Sequence, residues 1–182
     1  MRTDKKPLWL LASFVALALA AATTDASALD GHRDRKGPFA GLGLGGGAAI
    51  IDGETGGEFM FDGQLGGGAT RWLTFALDLD VRLQLVDGSK NWAVVPGPEI
   101  NIFLGGNFFL RAGIGLGFMF PEDEDTISKD FTFAFDGGVG VGYEFFMNSN
   151  VALDLAIEAD YFIIDDLENM VTVGFTMGLR FY

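Results

Sequence analysis

Between Leu73 and Leu85 every odd position is a large apolar residue. The even positions read Thr74, Ala76, Asp78, Asp80, Arg82 and Gln84. A period of two puts successive side chains on opposite faces, so this stretch is a β-strand with one greasy face and one polar face. It is also long, because strands of ordinary globular domains run to about 5–6 residues. Whatever this chain folds into must accommodate a strand of that length and that two-faced character.

The rest of the chain repeats the pattern. Alternation predicts strands over 39–50, 58–66, 72–86, 91–103, 108–120, 131–145, 151–163 and 170–182. Between them lie short turn signals such as Asp87-Gly88, Gly105-Gly106-Asn107 and Asn148-Ser149-Asn150. Pro96 and Pro98 sit inside the fourth segment, and proline cannot donate to a ladder, so a bulge or an irregular edge is expected there. Eight consecutive strands with hairpin connections close most simply as an up-and-down antiparallel barrel. No second run of helical length and no 3.6-residue period is present after the leader.

The leader itself is a separate unit. Arg2, Lys5 and Lys6 precede an apolar run over 8–22, and Ala26-Ser27-Ala28 is a small-residue cleavage site. This is the pattern of a secretory signal peptide over 1–28, and the run is shorter than the ~18 residues of a spanning helix. Residues 29–37 form a short charged lead-in, read as a disordered arm, and 38–182 form the barrel. The formal charge of −13 argues against a nucleic-acid partner. The absence of cysteine excludes disulfides and thiolate metal sites.

Alternation alone does not say which face is inside. The volume of the side chains decides. The apolar face carries roughly six large residues on each strand, whereas an eight-stranded barrel encloses only enough space for a single filling of side chains. The Leu, Phe, Val and Ile set must therefore face out, as in a membrane barrel. Aromatics near the strand ends fit two girdles. One comprises Trp72, Phe103, Phe108, Phe145 and Phe181, and the other Phe59, Trp92, Phe118, Phe120, Phe131 and Tyr161.

At this point the chain resembles the small eight-stranded bacterial outer-membrane barrels of the OmpA/OmpX type, over roughly residues 38–182. The most specific element is the final strand, in which Gly174, Phe175, Met177, Leu179, Phe181 and Tyr182 are similar to the terminal signal read by the outer-membrane assembly machinery. Members of that family usually end on the outward aromatic, whereas here Tyr182 follows Phe181. The resemblance implies an all-β fold, an eight-stranded antiparallel up-and-down transmembrane β-barrel, located in the bacterial outer membrane. It also implies monomeric barrels with both termini in the periplasm, surrounded by outer-membrane lipid and lipopolysaccharide.

No catalytic, cofactor or metal site is expected. Barrel-borne enzymes rely on a histidine as general base. The single histidine, His32, lies in the lead-in, and Ser89, Ser128 and Ser149 have no histidine beside them. The acidic clusters at 122–125 and at Asp165-Asp166 match no EF-hand spacing and are read as solvated loops. The informative chemistry is on the inward face. There the alternation places Asp62, Asp78, Asp80, Glu99, Asp136, Glu144, Asp154, Glu158 and Asp160 against Arg82, Arg111 and Arg180. One reading is a polar plug, with arginines clasping carboxylates across strands and water filling the gaps above the glycines. Arg82 and Arg111 are expected to flank Glu99. The other reading is a narrow cation-preferring channel, since acid exceeds base. The resulting functional expectation is a structural or cell-surface role, with the channel as alternative.

Overall fold

The computed structural model describes residues 35–51, 53–86, 88–122, 132–164 and 169–182. The signal peptide, His32, Ser128, Phe131, Asp165-Asp166 and all but the first residue of the 122–125 cluster lie outside the described residues.

Each alternating segment forms a strand: β1 Gly37–Ile51, β2 Glu54–Thr70, β3 Leu73–Val86, β4 Ser89–Phe103, β5 Phe108–Glu122, β6 Thr132–Phe146, β7 Val151–Ile164 and β8 Met170–Phe181. Every strand pairs antiparallel with its sequence neighbours, and β1 pairs with β8, so the sheet closes into an eight-stranded barrel. Closure leaves no unpaired edge. Several strands run beyond the expected ends, most of all β2, because backbone pairing continues where the hydrophobic period has already faded into glycine.

Both described chain ends, and the turns at 71–72, 104–107 and 147–150, lie at one end of the barrel. Gly105 and Gly106 both take positive φ (67° and 87°), which the tight β4–β5 turn requires and which residues with a Cβ rarely adopt.

Pro96 and Pro98 cause no bulge. They sit opposite Leu79 and Leu77 of β3 in unbroken register, and only the ladder to β5 lapses, between Val94 and Glu99, resuming in the same register. Alternate N–H groups of an antiparallel strand point to opposite neighbours, so two prolines of equal parity lose donors on one side only. The register shift of the barrel lies instead between Gly68 and Thr70, where β2 meets β3.

The two faces separate as the alternation requires. Leu65 and Leu77 are each 70% exposed and Leu116 is 59% exposed, while Arg82, Gln84 and Glu144 are almost completely buried. A continuous apolar belt of this kind far exceeds what a water-soluble monomer shows, and its natural solvent is hydrocarbon. Phe103 departs from the expected girdle. It has the inward parity of Glu99 and Asn101 and is buried in the lumen. Trp72, Phe145 and Phe181 at one end, and Phe59, Trp92, Phe120 and Tyr161 at the other, remain outside.

Candidate functional site

Among the described residues the lumen is where this fold gathers its charged and polar side chains, and it is built in layers. At the loop end Phe162, Met170, Met119, Val95, Val86 and Ile164 form an apolar cap inside the barrel. Beneath it, Arg82 lies 5.2 Å from the centre of the Phe162 ring. Its guanidinium reaches Asp160 at 2.7 Å, Asp80 at 2.8 Å and Glu58 at 3.7 Å, and donates to the Thr172 hydroxyl at 3.2 Å. Gln84 donates to Glu58 at 3.2 Å from the same layer.

One layer further, Arg111 pairs with Glu158 and, at 3.2 Å, with Glu99. Glu99 also accepts from Asn101 at 2.7 Å and from Gln64 at 3.2 Å. The expected Arg82–Glu99 clasp does not form. Arg82 sits in the next layer toward the loops, and the stagger of the barrel presents it to Asp160 of β7 instead. Arg180 comes next, with Asp154 at 2.9 Å and the Gln64 side-chain Oε1 at 3.1 Å.

The end nearest the termini is closed by a residue that alternation gave no reason to place there. Arg35, in the segment read as a disordered arm, is buried. Its Nε donates to Glu144 at 2.6 Å, its terminal nitrogens donate to the Arg71 carbonyl at 3.1 Å and Asn107 at 3.0 Å, and its guanidinium lies 3.7 Å from the centre of the Phe103 ring. Tyr182 folds inward as well. Its hydroxyl donates to Glu144, and its ring packs between Phe39 and Phe146. Burial pushes the Tyr182 phenol above its ordinary pKa, and the neighbouring Glu144 adds to the rise against the opposing Arg180. Tyr182 thus continues the inward parity of Arg180 past the outward Phe181.

Glycine makes these layers possible, and water is not what fills the space above several of them. A Cβ on Gly43 would fall 1.8 Å from Asp62 Oδ1, one on Gly138 would fall 2.2 Å from Asp160 Oδ1, and one on Gly142 would fall 2.4 Å from the Phe109 ring. These glycines are seats for side chains of a neighbouring strand. Open space remains in a central cavity of about 40 Å³ between the Arg82 and Arg111 layers and in a smaller one of about 10 Å³ between Arg111 and Arg180.

All eleven residues of the expected lumen network therefore point inward: Asp78, Asp80, Arg82, Glu99, Arg111, Asp136, Glu144, Asp154, Glu158, Asp160 and Arg180. Of these, Asp78 and Asp136 have no ion pair among the described residues, and neither has Asp62; one oxygen of each of Asp78 and Asp136 lacks any hydrogen-bond partner. Three ionisable participants, Arg35, Glu58 and Tyr182, are missing from the expected network. Glu58 and Tyr182 share inward parity with Met60 and Arg180, so the period could have placed them. Arg35 lies before the first strand, and nothing local could have. On β8, Phe175, Met177, Leu179 and Phe181 point outward, while Gly174 and Tyr182 do not.

No protein-family model and no curated protein matches this sequence. Solved structures do match. Neisserial surface protein A aligns with a TM-score of 0.65 at 15% identity, over 79% of this chain and 96% of that one. The attachment invasion locus protein Ail of Yersinia pestis gives 0.53 at 12% identity, over 80% and 99%. The N-terminal β-barrel domain of Pseudomonas aeruginosa OprF gives 0.52 at 12% identity, over 80% and 98%. With its inverted faces, eight-strand closure and filled lumen, the chain has the fold of the small outer-membrane β-barrels of the OmpA/OmpX type.

Proposed function

We propose that this protein is a monomeric outer-membrane barrel with a structural or cell-surface role, its lumen a plug rather than a conduit. The observation that carries the reading is the layering just described. An apolar cap, arginine-centred layers and the Arg35–Phe103 closure succeed one another along the axis, and the cavity among them is about 40 Å³. Eight-stranded barrels are normally filled in this way. The outward belt supports contact with outer-membrane lipid and lipopolysaccharide. The outward residues of β8, ending at Phe181, support recognition by the assembly machinery, with both termini in the periplasm. That Neisserial surface protein A shares the fold is consistent with a surface role. The reading includes no catalytic step.

The competing reading is a cation-preferring channel, favoured by the three inward carboxylates that no arginine holds. Planar-bilayer recording of refolded protein separates the two. The plug predicts a silent bilayer. Robust conductance that reverses toward the cation potential in a salt gradient would reject the plug and establish the channel.

A further inference from the structure

We propose that the central chamber of the lumen is a binding site for a small monovalent cation, sodium being the probe, held with part of its water shell. The chamber is lined by seven carboxylates and two guanidiniums. Arg82 holds Asp80 and Asp160, and Arg111 holds Glu99 and Glu158. That leaves Asp62, Asp78 and Asp136 facing the cavity with no ion pair of their own among the described residues.

The independent observation is Asp136. It is 6% exposed and lines the cavity, and its Oδ1 has no hydrogen-bond partner; Asp78 Oδ1 is in the same condition. A buried polar oxygen without a donor is costly, and a buried carboxylate without a counter-charge is costlier. The donors in the wall, Gln64, Arg82 and Arg111, are given to other acceptors, and Gly97, Gly113, Gly115 and Gly138 carry no donor side chain. The cavity has room for about three waters, which suits one ion and the remains of its shell.

The chemistry selects among cations. Among the described residues no three acidic side chains converge into a metal cage. Divalent calcium takes 6–8 oxygens and magnesium demands near-ideal octahedral geometry. A singly charged ion that keeps part of its water shell asks fewer oxygens of the protein. Choline is too large for the cavity and serves as the control for ionic strength. The inference goes beyond the plug reading, because a sealed plug requires no ligand, and conductance does not bear on it.

The test is urea unfolding of the full barrel refolded in nonionic detergent at fixed pH, with sodium chloride exchanged for choline chloride at constant ionic strength. Preferential binding to the folded state should lower the unfolding constant about tenfold for each tenfold rise in sodium above half-saturation. Asp136→Asn, which keeps the shape and removes the charge, should flatten that dependence. Asp78→Asn provides the second variant should the first fail to fold. Superimposed sodium and choline titrations of the wild-type protein would overturn the proposal. So would a sodium dependence that survives unchanged in both variants, or a dependence on calcium with none on sodium.

Discussion

At the scale of single residues the lumen concentrates stability in its arginines. Arg82 is 2% exposed and compensates two close carboxylates, with a third 3.7 Å away. Removing one partner of a buried pair leaves the other uncompensated, at a cost of about 3–5 kcal/mol. We predict that Arg82→Ala lowers stability by about that amount in urea unfolding, and that adding Asp160→Asn to it recovers part of the loss. Tyr182 gives a pH-dependent counterpart. Its phenol is raised above its ordinary value by burial, so the unfolded chain loses this proton first as pH climbs. Its contribution is complete below about pH 10, the ordinary tyrosine value, and fades as pH rises further. Unfolding midpoints followed upward from pH 8 should fall more steeply for the wild-type protein than for Tyr182→Phe.

At the scale of elements, each strand carries two independent codes, one for the lumen and one for lipid. Leu79 and Leu116 occupy the outward face near the middle of β3 and β5. Arginine at either position should cost about 2–4 kcal/mol when the protein is refolded into bilayers, because a charge at mid-depth gives up its water. Refolding titrations of Leu79→Arg and Leu116→Arg in vesicles measure this directly, and costs near zero would contradict the outward assignment. The alternation made these faces legible because a strand has only two of them, and a charge every second residue has only one face on which to fall. The girdle expectation, which rests on position near a strand end, fails at Phe103, where the parity points inward. The alternation was silent on Pro96 and Pro98, whose tolerance depends on which neighbour their missing N–H groups would have met.

For the whole molecule, closure is the governing property. Every strand has two partners, so no strand can leave without breaking two ladders at once. The folded barrel should therefore resist dodecyl sulfate at room temperature and migrate differently before and after boiling. A single band position under both conditions would argue against a closed barrel. Arg35 extends the same logic to the chain end, since its partner Glu144 lies 109 residues away and ties the start of the described chain to β6.

Period, length and the sheer volume of the apolar face determined the strands, their pairing order and the direction each side chain points. These are local or additive quantities, and they can be read without knowing where any strand sits along the barrel axis. The partners across the lumen were decided only by the tertiary structure. The stagger of the closed sheet sets the height of each residue, so that Arg82 meets Asp160 and not Glu99, and Arg35 meets Phe103. It likewise leaves Asp62, Asp78 and Asp136 around an opening whose two arginines are paired with other carboxylates. A one-layer change in height exchanges a salt bridge for an unpaired carboxylate, and alternation carries no information about height.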